Sequence, residues 1–323
     1  MEKRNLSEKE LQHLKTLAEQ GDAKAQYDLG VHYLELDDNN PVYLEWLLLK
    51  SANQGYADAQ YMIGDCYMLE WGVEFDTAEA FKWYMLAAQQ GHAMAQFDVA
   101  ECYYYNSNIE NHDTLALKWL LLSAKNGCDY AQNQLGDLYA NGELVEQNYS
   151  EAKKWYELAA SQGNASAQFN LGFMYESGEG VEVNYTQATK WYELAANQNH
   201  SNAQYNLACL YLYGEGFEKN YDKAYQLFKL VADKSDSKDA INNVGYCLEM
   251  GYGTERNLQL ANEYFLKAAE MGDAIAQCNL AESYEFGKGV DKNIETALKW
   301  YKLAAEQGDA DAIKKVKDLS SIE

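Results

Sequence analysis

The 323-residue chain contains a single proline, Pro41. Proline removes a backbone donor and breaks helices, so its near absence leaves long helical stretches uninterrupted. Paired-cysteine spacing is missing too. Cys66, Cys102, Cys128, Cys209, Cys247 and Cys278 include no pair at the two-residue gap of a zinc or redox motif. Cys66 and Cys102 share a place in the repeat described below, but neighbouring parallel helices lie about 8–10 Å apart. A disulfide spans at most about 7 Å between Cα atoms, so reduced thiols are expected. Positive charge is scarce, with 26 Lys and Arg against 50 Asp and Glu and a net charge of −24. Phosphate contacts need a basic surface, which argues against nucleic acid as a partner, and anionic membranes would repel the chain. A basic protein partner is compatible with this charge, as is simple solubilisation of a long surface. Long apolar runs are also lacking. Stretches such as Trp119-Leu120-Leu121-Leu122 are far too short to span a bilayer. Met1 to Gly21 is polar, without the apolar core of a signal peptide, so the expected location is cytoplasmic.

What the sequence has is a repeat. The run Ala167-Gln168-Phe169-Asn170-Leu171-Gly172-Phe173-Met174-Tyr175 returns from Ala25, Ala59, Ala95, Ala131, Ala203, Ala240 and Ala276. A second run, Ala152-Lys153-Lys154-Trp155-Tyr156-Glu157-Leu158-Ala159-Ala160, returns from Ala80, Ala116, Ala188 and Ala297. Trp83, Trp119, Trp155 and Trp191 are spaced by 36 residues. The first repeat is two residues short with Trp46 one place out of register, and a one-residue insertion falls near Lys234 to Asp239. Each unit reads as two helices. In helix A, Ala167, Leu171, Gly172 and Tyr175 form an apolar stripe, and in helix B Ala152, Trp155, Leu158 and Ala159 are expected to do the same.

Between the helices, Gly178-Glu179-Gly180-Val181 predicts a turn. Asn148, Asn184, Asn220, Asn257 and Asn293 stand where helix B begins and predict N-caps. Counting Leu171 as place seven of helix A, place three is alanine in every copy and place eight is glycine or alanine up to Ala281. Such small residues permit close approach of a neighbouring helix. The ninth copy has Lys317 at place eight, which predicts a C-terminal capping helix. Ser7-x-x-Glu10 predicts a capping box opening a lone helix B. The expectation is one all-α repeat domain over 1–323, a solenoid of 36-residue helix–turn–helix units. An N-terminal cap covers 7–20, eight pairs cover 21–309 and a C-terminal cap covers 310–323.

These motifs resemble the Sel-one-like repeat family, relatives of the tetratricopeptide repeats. The resemblance rests on the Ala-x-Ala-Gln-x-x-Leu-Gly-x-x-Tyr run, the Gly-x-Gly-Val turn and the Ala-x-x-Trp-Tyr-x-x-Ala-Ala-x-x-Gly helix, over about residues 20–310. Departures are Asn106-Ser107-Asn108 in a turn without glycines, and Leu227-Phe228 and Tyr264-Phe265 in place of Trp-Tyr. The resemblance implies a right-handed α/α superhelix that serves as an adaptor or scaffold, with no common ligand and no activity.

Catalytic chemistry finds little support. His13, His32, His92, His112 and His200 are scattered, and His92 and His200 fall at a place the repeat prescribes. Gly214-x-Gly216 and Gly287-x-Gly289 follow a helix, not a strand, so a dinucleotide-binding reading fails. No nucleophile–base constellation stands out, and neither an enzyme nor a metal or cofactor is expected. What remains is surface. In related repeats helix A lines the concave wall, with places two, five, nine and twelve facing inward. This selects Tyr61, Asp65, Phe97, Glu101, Tyr104, Asp137, Phe169 and Phe173 as candidate partner-binding residues, alternating rings with carboxylates. Place five could instead pack between adjacent repeats. Trp71, outside the repeat pattern, is either a buried staple or a further contact. Reversing the charge of Asp65 and Glu101 is expected to leave stability nearly unchanged. The resulting expectation is a monomeric adaptor for protein partners, basic ones among them. The alternative is a cytosolic inhibitory binder, such as an immunity protein that neutralises a basic toxin.

Overall fold

The computed structural model describes residues 6–36, 44–216 and 218–320. Pro41 lies outside the described residues. Among them every regular element is helical. The contacts group into two compact units, Met1–Asn164 and Ala165–Glu323. The first unit holds a lone helix, α1 (Glu8–Glu19), then four helix pairs. These are α2 (Ala23–Leu36) with α3 (Leu44–Leu48 continued by Leu49–Asn53), α4 (Ala57–Leu69) with α5 (Thr77–Gln89), α6 (Ala93–Tyr104) with α7 (His112–Lys125), and α8 (Asp129–Asn141) with α9 (Tyr149–Ser161). The second unit holds four pairs and a closing helix. The pairs are α10 (Ala165–Ser177) with α11 (Tyr185–Asn197), α12 (Ser201–Tyr213) with α13 (Tyr221–Lys234), α14 (Lys238–Met250) with α15 (Leu258–Glu270), and α16 (Ala274–Phe286) with α17 (Ile294–Glu306). Last is α18 (Ala310–Ser320). Even-numbered elements are the A helices and odd-numbered ones the B helices.

The helix ends follow the local chemistry of the sequence. Asn148, Asn184, Asn220, Asn257 and Asn293 each accept a backbone N–H from three residues further on. Ser7 and Glu10 form the reciprocal capping box of α1. Gly178 and Gly180 take φ of 80° and 70° in the turn between α10 and α11, a region that side chains with a Cβ disfavour. In α3 the segment Leu44–Leu48 is a π turn, the wide form that accommodates an extra residue. Trp46, out of register in the sequence, is exposed there, while Leu47 and Leu48 are buried.

The buried stripe of helix B differs from the sequence expectation in one respect. Leu158 points to solvent and is 48% exposed, whereas Tyr156 is buried with Ala152, Ala159 and Ala160. Spacings of four, seven and eight residues form a straighter face than one through Trp155 and Leu158, which lie to its side. The tyrosine ring explains the small residue at place eight of helix A. A Cβ on Gly64, Gly136 or Gly172 would overlap the ring of Tyr84, Tyr156 or Tyr192 from the same pair.

Between pairs, the fixed glutamine at place four acts as a strut. Gln26, Gln60, Gln96 and Gln132 are all buried. Each Nε2 donates to a carbonyl near the end of the preceding helix B (Ala18, Ala52, Ala88 and Ala124) at 2.9–3.1 Å. Each Oε1 accepts from a side-chain amide at the end of the following helix B (Gln54, Gln90, Asn126 and Gln162) at 2.7–2.8 Å. One side chain thereby joins three helices and adds a second donor to a helix-end carbonyl that also accepts the N–H of the glycine three residues on.

The strut should be measurable. Gln132→Leu keeps most of the volume but leaves the Ala124 carbonyl without this donor, and should destabilise the full chain by about 1–3 kcal/mol in urea unfolding. Gln162→Leu, at the exposed end of the same bond, should cost less than about 1 kcal/mol. Equal losses in the two variants would show that the buried bond carries no special weight.

Candidate protein-interaction surface

The carboxylates on helix A divide into two groups once their partners are traced. Asp65 accepts the hydroxyl of the buried Tyr84 at 2.8 Å, and Asp137 accepts that of Tyr156 at 2.8 Å. In the second unit the same acceptor role moves to place twelve. Tyr192 donates to Glu176, and Tyr301 donates to Glu285 at 2.7 Å. A buried phenol requires an acceptor, so these carboxylates are tied to the core of their own repeat. The expectation that Asp65 can be reversed in charge without a stability change is therefore corrected. Asp65→Lys would remove the acceptor of Tyr84 and set a cation into a half-buried site. The pairing spans 19 residues and depends on how helix B rests on helix A, which the sequence pattern does not display.

The aromatic candidates at place five are packed. Tyr61 stacks on the His92 ring at 4.6 Å and lies 5.6 Å from Tyr84. Phe169 stacks on His200 at 4.9 Å. Phe97 packs against the cluster containing Leu120 and Leu135 and lies 6.0 Å from Tyr130. The two histidines have a structural task as well. Nδ1 of His92 accepts from Ala95 N and that of His200 from Ala203 N, capping α6 and α12. Burial holds both imidazoles below their usual pKa, which keeps Nδ1 available as an acceptor.

Glu101 accepts Gln134 Nε2 at 2.7 Å, and Tyr104 meets Glu143 at 3.4 Å. Trp71 packs, half-buried, against the cluster of Met62, Ile63 and Cys66. Phe173 is exposed, at 43%. Of the candidates, Tyr61 and Asp65 lie together in the first unit, joined there by Asp98. Phe169 and Phe173 belong to the second unit.

The sequence reading overlooked two features. The first is place thirteen, the last turn of helix A or its cap. Leu69 and Tyr105 in the first unit, and Tyr213, Met250 and Phe286 in the second, are exposed apolar side chains at this one place. The signal was available as an apolar residue beyond the buried stripe in most copies. The second is Asp98. Tyr61 and Asp65 of α4, Tyr84 of α5, and Glu101 and Cys102 of its own helix surround this carboxyl. Its Oδ2 is buried without a hydrogen-bond partner. Burial, and then the charge of Asp65, push the Asp98 carboxyl up to about 7. Place six in four later copies is the neutral Asn170, Asn206, Asn243 and Asn279.

This predicts a pH-dependent stability. The folded pKa of Asp98 lies above the ordinary 3.8. Below about pH 4 the group is protonated folded or unfolded and has no effect relative to that reference. Between about pH 4 and 7 the unfolded chain releases this proton while the folded protein keeps it, so stability falls across that window and the loss is complete above about 7. Asp98→Asn should raise the Tm by roughly 2–8 °C at about pH 8, and the gain should shrink to nothing near pH 4. A gain that did not vary with pH would assign the effect to packing.

The family assignment follows from comparison with known proteins. The Sel1 repeat family matches residues 23–43, 57–92, 93–128, 129–164, 165–200, 201–236, 238–273 and 274–309. Among solved structures, the chain is similar to a protective antigen of uropathogenic Escherichia coli with an SLR fold. The two are 35% identical with a TM-score of 0.85, over 97% of this chain and 67% of that one. It is also similar to a Sel1 repeat protein from Oxalobacter formigenes, at 35% identity and a TM-score of 0.61, over 69% of this chain and 86% of that one. Comparison with curated proteins finds no match. The 36-residue helix pairs, the ladder of place-four glutamines and the matches over eight successive segments place this chain in the Sel1 repeat family, with the helix-pair fold of its α/α solenoids.

Proposed function

We propose that this chain is a cytoplasmic adaptor that holds protein partners on the exposed edge of its A helices. The Sel1 and tetratricopeptide-like fold is in general a protein-interaction scaffold, and the recurring apolar place thirteen supports that use here. Tyr105 is 76% exposed and Tyr213 59%. Large rings in water at a repeated place contribute nothing to the core. They supply contact area at low entropic cost when a partner covers them. The carboxylates not engaged by buried tyrosines, together with a net charge of −24, favour partners with basic surfaces and faster association at low salt. Among the described residues no helix is long and apolar enough to cross a membrane.

Two double variants test the surface, one in each unit: Leu69→Ser with Tyr105→Ser, and Tyr213→Ser with Met250→Ser. Each should leave the Tm within a few degrees of the parent, as exposed substitutions usually do. At least one should lose, by about tenfold or more, a partner that the parent captures specifically, as measured by surface plasmon resonance with the purified partner. Full retention of every such partner by both folded variants would rule out this edge as the recognition surface.

A further inference from the structure

The second unit contains a cleft of about 450 Å³ among α11, α12 and α13. Ala196, Leu207, Tyr211 and Leu227 form its walls, with Gln204 and Lys223 among its polar lining. Its place in the repeat shows what fills the corresponding space elsewhere. Counting back by whole repeats, Leu227 corresponds to Trp191, Trp155, Trp119 and Trp83. The last three of these pack against buried clusters that contain Ala124 and Leu135, Ala88 and Val99, and Ala52 and Ile63. These pairs are the counterparts of Ala196 and Leu207. The walls that receive an indole in three sister repeats are thus present here, and leucine takes the indole's place.

A second difference falls on the same cleft. In the sister repeats the Oε1 atoms of Gln60, Gln96 and Gln132 accept a side-chain amide from Gln90, Asn126 and Gln162. The counterpart of those donors is Lys234, whose Nζ instead bonds Asn199 Oδ1 at 2.8 Å. Gln204, only 3% exposed, still donates Nε2 to the Ala196 carbonyl at 3.0 Å, but the ladder bond to its Oε1 is missing. Tyr211, by contrast, is fully engaged, donating to Glu193 at 3.0 Å and accepting from Lys223 at 3.2 Å. The cleft therefore combines the apolar walls that meet an indole in sister repeats with a side-chain carbonyl, Gln204 Oε1, that lacks its ladder donor.

We propose that this cleft binds the tryptophan side chain of a partner protein, with its indole N–H directed to Gln204 Oε1. The inference rests on the adaptor reading and names one recognition element for it. A leucine side chain from a partner would leave the acceptor unmatched.

The probe is N-acetyl-L-tryptophanamide, titrated into the full chain with methyl-labelled leucines and followed by NMR. It should shift the Leu207 and Leu227 methyls with a Kd on the order of 1 mM or tighter, and N-acetyl-L-leucinamide should bind about tenfold more weakly or worse. Leu227→Trp restores the repeat's own indole and should reduce probe binding by about tenfold or more, with the Tm unchanged or higher. Should that variant fold poorly, Gln226→Trp sets a ring at the exposed mouth and should give the same loss. The proposal is overturned by no shift at these methyls up to about 10 mM probe, by equal binding of the leucine amide, or by undiminished binding in either folded variant. Because the probe is a free amide, its failure removes this cleft alone and leaves the adaptor reading to the partner measurements.

Discussion

A buried glutamine bonded at both ends of its amide sets the spacing of this fold. Its Nε2 reaches the end of one B helix and its Oε1 receives the end of the next, so three helices must keep one separation and one register. An amide offers both a donor and an acceptor at fixed geometry, and in a dry interface leaving either unmatched is costly. The repeat length follows from this. A helix pair that was lengthened or shortened would carry the glutamine away from one of its partners. Where the ladder is altered, the local structure changes with it. At the insertion near Lys234 the place-four residue is the fully buried Ile241, and the amide partner expected for Gln204 is a lysine bonded elsewhere.

The tyrosine of helix B imposes the second constraint. Its ring lies across the backbone of helix A, so place eight must be small. Its hydroxyl needs an acceptor, which draws in a carboxylate from place nine or twelve. Much of the acidity that looks available for partners is thereby committed to the interior. Asp65, Asp137, Glu176 and Glu285 hold the repeat together, and a charge change at any of them would alter stability as well as binding. The proposed recognition surface has fewer carboxylates to offer, and includes the exposed rings and aliphatic side chains at place thirteen and Phe173. The histidines fit the same pattern. His92 and His200 cap helices and stack on place-five rings, and the cysteines are unpaired thiols. Burial pushes Cys66 and Cys247 up to about 12, far from the reactive range.

The helices, their order and their caps were legible in the sequence because each depends on residues close together in the chain. An asparagine caps the helix that starts beside it, and the Ser7–Glu10 box closes over three residues. An alternation of small and large side chains at helical spacing marks a face without reference to any other segment. Family membership followed from the same recurrence of Ala-Gln, Gly-x-Gly and Trp-Tyr. The choice between Trp155 and Tyr156 as the residue that fills the core was not legible. Both are large and adjacent, and the answer depends on the direction from which helix A approaches.

The candidate surface was legible only as a set of places. Sequence alone determined that helix A carries rings and carboxylates in a regular order, because periodicity assigns residues to faces. Tertiary structure alone decided which of them remain free for a partner. Whether Asp65 meets Tyr84 and whether Tyr61 lies on His92 are relations between helices distant in the chain. Hydrogen bonds and packing over such separations depend on ångström-scale placement of one helix against another, and the linear pattern does not encode that placement residue by residue.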